Sequence, residues 1–346
     1  MAQARTEILS LQYLRAMAAI AVAISHAAQI IPIHGRGDVF GPMPAGAAGV
    51  DVFFVISGFI MCHITNGTQI TGWAFFKHRL ARVAPSYWII TGLVAAVLIF
   101  APSLFNTSVF DIPLLLSSLF FIPHVNPANG EIVPLLQIGW TLNYEFFYYT
   151  IFAICLSIRP RFSAYFASGI IVLVCLLPLL SDHLGVLAFY SNTIVIEFIF
   201  GMMSWKILDK MPAPHAAAGL TLVLLGCLGF YFSDYVFSGD RTSLMRPIGW
   251  GVPAWAIVTG AIIFERSGRL PKSKLLKKMG DASYAIYLTH IMTLGVVRFI
   301  WGHFHLKDIF ADIYLLIFAI AAVIISSILY FDLIEKPVSR FFRRAM

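Results

Sequence analysis

Arg15 and His26 stand eleven residues apart inside the apolar run Ile8 to Ile31. Ionisable side chains inside a bilayer-spanning helix are expensive and usually functional. Eleven steps of about 100° end roughly 20° past three full turns, so the two share one helix face, about 16 Å apart along the axis. One face of one helix therefore carries a fixed cation near one membrane surface and a titratable imidazole nearer the other. The plainer readings are a hydrogen-bonded packing histidine and an arginine snorkelling to the inner interface. The next helix opens GVDVFFVISGFIM. A short turn would make it antiparallel to the first, bringing Asp51 near His26, where a carboxylate would fix the imidazole tautomer and raise its basicity. Otherwise Asp51 begins a helix near water. Ser57 and Gly58 permit close helix approach, and Ser57 also counts among residues that can line a cavity.

A second group lies in WAFFKHRLARVAPSYW. Lys77, Arg79 and Arg82 fall within two helical turns, and the Arg-x-x-Arg pair points both guanidiniums the same way. Such a fork suits phosphate oxygens, which a nucleotide-bearing donor such as coenzyme A would supply. The alternative is topological anchoring alone. Glu145 and Trp140 in GWTLNYEFFYY, Glu197 in IVIEFIFG and His290 in YAIYLTHIM add ionisable and polar groups within apolar runs. Several such groups in one bundle more often line a shared polar cavity than stand alone. Tyr144, Tyr148 and Tyr149 read as a packing or interfacial stripe.

The elements that must hold these residues are membrane helices. Of 346 residues 59% are hydrophobic and 12% charged, with a mean hydropathy of +0.84. That composition excludes a soluble globular enzyme and predicts an all-α, polytopic transmembrane helical bundle. Spans are expected at about 8–31, 46–64, 84–104, 137–157, 163–181, 185–205, 214–233, 247–265, 280–300 and 312–333. With ten spans and both termini cytoplasmic, 18 of the 24 basic residues lie inside and 4 outside. Counting Val109 to Pro123 as an eleventh crossing inverts the later loops, so the positive-inside rule favours ten, with that short run an interfacial or re-entrant piece. The basic stretch Glu265 to Lys278 reads as a cytoplasmic anchor touching anionic lipid. No cleavable signal is expected near Met1, and the first span acts as its own uncleaved signal. The net charge of +7 follows membrane topology and suggests no nucleic-acid partner. Cys62, Cys155, Cys175 and Cys227 lack CxxC spacing and read as small hydrophobes, with neither disulfide nor metal site expected.

Taken together, Arg15-x10-His26 in LRAMAAIAVAISH, GVDVFFVISGF, the Arg79-x-x-Arg82 loop followed by Pro85 and Tyr87-Trp88, GWTLNYEFFY around Glu145, and GDASYAIYLTH ending at His290 resemble the acyltransferase-3 family of integral membrane acyltransferases. The resemblance covers nearly the whole chain in order. It implies a single transmembrane acyltransferase domain over 1–346, of the compact, exopolysaccharide-modifying form, with no appended soluble hydrolase-like domain. It also implies an O-acyltransferase, most often O-acetyl, of the bacterial cytoplasmic (inner) membrane. The partners it implies are membrane lipid, acyl-CoA as co-substrate and a carbohydrate acceptor, with no bound cofactor. His26 looks like the family's essential histidine, Arg15 its motif partner, and Arg79 and Arg82, with Lys77 beside them, the donor-binding loop. Asp51 or Glu145 would then orient or stabilise the imidazolium. A proton-coupled transporter or flippase would use buried His and Glu equally well, but no inverted repeat is visible. A homo-oligomer is compatible with the sequence.

Overall fold

Runs of Leu, Ile, Val, Ala and Phe leave no water partner for backbone N–H and C=O groups in lipid, so each run must satisfy its own hydrogen bonds as a helix. The structure, a computed structural model, describes residues 7–30, 44–101, 109–180, 184–212, 215–236, 245–304 and 312–345. Among these the principal helices are α1 (Leu9–Ile30), α2 (Gly49–Thr65), α3 (Gly72–Phe100), α4 (Ile112–Leu119), α5 (Trp140–Ile158), α6 (Ser163–Leu176) and α7 (Ile196–Lys210). They continue with α8 (Ala216–Val236), α9 (Val252–Arg266), α10 (Lys274–Asp281), α11 (Ser283–His303), α12 (Asp312–Tyr330) and α13 (Lys336–Ala345). The described residues hold no strand beyond a single bridge, Val125 to Ile132. The protein is an all-α, polytopic helical membrane protein.

Among the described residues, seven helical stretches are long and apolar enough to cross a bilayer: 9–29, 72–100, 160–179, 216–233, 247–266, 283–303 and 313–344. Their surfaces suit lipid. The stretches 160–179 and 216–233 are each only 17% buried, and Leu173 and Leu224 are exposed. The other three expected spans are helical but fall outside this set: α2 has 17 residues and α7 15, while α5, with 19, carries Asn143 and Glu145 in its first half and is less apolar.

Two spans differ from the sequence expectation, and one short run agrees with it. The span expected at 84–104 starts at Gly72, because Thr71 caps the helix by accepting from the Ala74 N–H and the basic residues that follow are good helix formers. Lys77, Arg79 and Arg82 therefore lie within a long helix and not in a loop. The run expected at 185–205 is broken. Gly185 adopts φ +54°, and Asn192 accepts from the Ile194 N–H at a 3-10 turn, Thr193–Val195, before α7 begins. Within Val109 to Pro123 only the eight residues of α4 are helical, about 12 Å and too short to cross.

Contacts divide the chain into two compact units. One comprises Met1–His63 with Glu197–Leu329, the other Ile64–Ile196 with Tyr330–Met346. In the first, the carboxylate of Glu265 accepts from the Leu9 and Ser10 N–H groups, both at 2.8 Å, and so satisfies the open N-terminus of α1. Lys277 of the predicted basic anchor bonds Glu7 at 2.9 Å, which holds its ammonium above the usual lysine range. Ala19, Ala23 and Ala27, one turn apart along α1, are fully buried against Ile286 and Leu294 of α11 and Ala319 and Val323 of α12. Small side chains there allow close helix approach. In the second unit α3 packs on α5 and α13, with Phe75 set edge-on to Tyr149 and against Phe152.

Helices α2 and α7 touch backbone to backbone. A Cβ on Gly58 would lie 2.0 Å from the Phe198 carbonyl oxygen, and one on Gly201 2.0 Å from that of Val55. Backbone cannot yield as a flexible side chain does. Gly58→Val is therefore expected to cost about 1–3 kcal/mol of stability, seen as a lowered melting temperature in detergent. A wild-type melting temperature would show that the two helices do not meet this way.

Candidate active site

Helices α1 and α11 bring two histidines together in the first unit. His290 is fully buried and its Nε2 lies 3.1 Å from His26 Nδ1, with ring centroids 5.0 Å apart. The pairing follows from the alanine stripe, since His26 sits beside Ala23 and Ala27 on a helix that approaches α11 closely.

The hydrogen bonds assign the protons. His290 Nδ1 lies 2.7 Å from the Tyr287 carbonyl oxygen and 3.2 Å from that of Ile286. Carbonyls only accept, so this nitrogen carries hydrogen, and in an uncharged ring Nε2 is then a bare acceptor. His26 Nδ1 faces that acceptor and also the Val22 carbonyl oxygen at 3.1 Å, so it must donate. The remaining nitrogen, His26 Nε2, keeps the lone pair. A buried histidine thus holds a half-buried one in the tautomer a general base requires. Tyr287 lies at the edge of the pair, 5.9 Å from the His290 ring. Below it, Thr289 and Thr293 latch α11 to α12 through Ser327 at 2.8 Å and Ser326 at 3.0 Å.

Arg15 is half-buried on the same continuous α1 as His26, so their shared face is preserved. Asp51 differs from expectation. It is not hydrogen-bonded to His26. Its carboxylate is gripped by both arms of Arg246, Nε to Oδ1 and Nη2 to Oδ2, each at 3.1 Å. Asp51 is fully buried and the Arg246 side chain 15% exposed, with the guanidinium 4.9 Å from the Trp250 ring centroid. A planar fork matching two oxygens outcompetes a single imidazole bond. Glu197, also fully buried, lies beside Asp51, shares a side-chain hydrogen bond with it and is within electrostatic reach of Arg246. Arg246 was missed by sequence reasoning, which counted it only as one of the four basic residues outside the membrane. Its one local signal is the Arg-Pro-x-x-Trp opening of a π-turn, Pro247–Gly251, a feature often found at functional sites. Ser57 is half-buried one residue before the Gly58 contact.

In the second unit Arg79, Arg82 and Lys77 lie on α3. Arg79 sits within electrostatic reach of Tyr149, Glu145 and Arg82 and 5.9 Å from the Phe75 ring centroid. Glu145, expected to serve the imidazolium, here accepts from the Tyr149 hydroxyl one turn along α5. Tyr149, read as packing, thus belongs to a polar cluster with Arg79. Trp140 meets Tyr144 edge-on at 5.9 Å.

Lipid-facing helices carrying buried histidine, carboxylate and guanidinium clusters define a polytopic membrane protein with a polar, chemically equipped interior. The chain belongs to the acyltransferase-3 family, whose acyltransferase domain matches residues 8–332. It is similar to the exopolysaccharide production protein ExoZ of Rhizobium meliloti (strain 1021), 34% identical over 261 residues that make up 73% of this chain and 78% of the relative. It is also similar to the acyltransferase MdmB of Streptomyces mycarofaciens, 24% identical over 285 residues, 75% of this chain and 69% of the relative. No solved structure matches it. The protein is a multi-pass membrane acyltransferase.

Proposed function

We propose that this acyltransferase moves an acyl group, most often acetyl, from cytoplasmic acyl-CoA to a hydroxyl of a surface or lipid-linked carbohydrate such as an exopolysaccharide, in the bacterial inner membrane. Arg79 and Arg82, aided by Lys77, hold the donor's phosphates. His26 Nε2 takes the proton from the acceptor hydroxyl as its oxygen attacks the thioester carbonyl. The C–S bond then breaks, and the imidazolium returns the proton to the departing thiolate, giving the ester and free coenzyme A. Arg15, about 16 Å along the same helix face, offers a cation to the donor. A thioester is already activated, so positioning and one proton transfer suffice for the chemistry.

The observation that carries the reading is the His26–His290 pair, whose hydrogen bonds leave one basic nitrogen on the residue that matches the family's motif histidine. The carbohydrate acceptor is supported by the similarity to a relative named for exopolysaccharide production. The test is proteoliposomes holding the full chain, given acyl-labelled acetyl-CoA and bacterial exopolysaccharide precursors. Label is expected in carbohydrate, with one free thiol released per acyl group transferred. Label that stays on coenzyme A with every carbohydrate offered, while a labelled lipid moves between leaflets, would replace the reading with transport.

A further inference from the structure

The donor cations of α3 do not stand alone. Tyr330 at the end of α12 bonds Ser86 of α3, hydroxyl to hydroxyl at 2.9 Å, and α13 packs back along α3, with Glu335 and Ser339 buried in the seam. Ser86 is one turn beyond Arg82 on the same α3 face and two turns beyond Arg79. The chain running on from Tyr330 carries Arg340 and Arg343, and Arg343 comes within electrostatic reach of both Arg82 and Arg340. Four guanidiniums from two helices of one unit therefore gather at one end of a single seam. None of the four forms a salt bridge among the described residues, while Arg79 also bonds the Tyr149 hydroxyl and lies within electrostatic reach of Glu145. The Arg79 Nε–H is buried without a hydrogen-bond partner.

Like charges held together by packing, with a donor group left open, describe a site prepared for a multiply charged anion. Two α3 arginines match one phosphate fork, and four exceed what one phosphate needs. A nucleotide donor with a pyrophosphate and a separate phosphomonoester carries roughly four negative charges spread over three phosphates.

We infer that Arg340 and Arg343 of the C-terminal helix complete, with Arg79 and Arg82, a polyphosphate-binding site that grips the nucleotide end of the acyl donor. The inference rests on the acyl-CoA reading above and extends it to two residues on the C-terminal helix. Phosphate oxygens are the shared chemistry of two possible occupants, the free nucleotide and an anionic lipid headgroup, and the inference commits the site to the first.

Calorimetric titration of the purified full chain in nanodiscs of phosphatidylcholine tests it. Coenzyme A is expected to bind, and Arg340→Gln with Arg343→Gln to weaken its affinity by roughly tenfold or more per guanidinium. Pantetheine, which has no nucleotide phosphates, should bind wild type and variant alike, which also shows that the variant is folded. Arg344→Gln on the same helix should bind coenzyme A as wild type does. The charge-keeping pair Arg340→Lys with Arg343→Lys should recover part of the loss. Wild-type affinity for coenzyme A in the Gln pair overturns this inference while leaving the donor reading intact. Loss of affinity that appears only in phosphatidylglycerol nanodiscs assigns the two arginines to lipid and overturns it as well. No coenzyme A binding by wild type in either lipid overturns both readings.

Discussion

Membranes carrying His26→Ala are expected to transfer acyl groups about a hundred- to ten-thousandfold more slowly than wild type, the range of a lost general base, while binding acyl-CoA unchanged. The asymmetry follows from the separate roles of the residues. Removing the imidazole leaves the acceptor hydroxyl without a proton acceptor, but touches none of the guanidiniums assigned to phosphate. His290→Gln probes the same pair from behind. It is expected to lower the turnover number by about ten- to a hundredfold with KM for the donor unchanged, in line with other residues that orient an imidazole through its second nitrogen. On the proposed mechanism His290 positions His26, so its variant must also move the pH at which the acid limb of the rate profile is half-maximal, because that limb would report the protonation of His26. Full activity in His26→Ala would remove the base. A slower His290→Gln enzyme with an unchanged pH profile would reduce His290 to packing.

What could be read in the sequence was what one helix encodes by itself. Arg15 and His26 share a face because helical period alone puts them there, and Leu9–Ile30 is continuous. Arg79 and Arg82 likewise point together by spacing within Gly72–Phe100. What could not be read depends on how helices meet. Asp51 and Arg246 are 195 residues apart, and His26 and His290 are 264 apart, so no local pattern reports either pairing. The alanine stripe that lets α1 approach α11 was visible as composition, but many small-residue stripes in membrane helices face partners without bringing ionisable groups together. Tyr149 was misread for the opposite reason. An aromatic in an apolar run packs by default, and only the neighbouring Arg79 and Glu145 make its hydroxyl part of a polar cluster. The break before α7 was legible in principle, since Gly185 and Ser191-Asn192-Thr193 are turn and cap residues, but mean apolarity over 185–205 concealed them.

The Arg246–Asp51 pair yields the largest effect expected on stability. Arg246→Met leaves Asp51, fully buried, beside a second buried carboxylate at Glu197 with their facing cation gone. Removing one partner of a buried ion pair typically costs about 3–5 kcal/mol, because the charge left behind has neither water nor counter-ion. The double variant Asp51→Leu with Arg246→Met removes both charges in similar volume, and such replacements are close to neutral. The single variant should therefore melt well below wild type in detergent, and the double should recover most of the loss. A single variant as stable as the double would mean the two side chains do not share a bond. The same pair of variants decides what Asp51 does in the reaction. With both its oxygens engaged by Arg246 and none bonded to His26, Asp51 is expected to hold the fold and to take no part in proton transfer. The refolded double variant is accordingly expected to transfer acyl groups, whereas a stable but inactive double variant would return Asp51 to the chemistry.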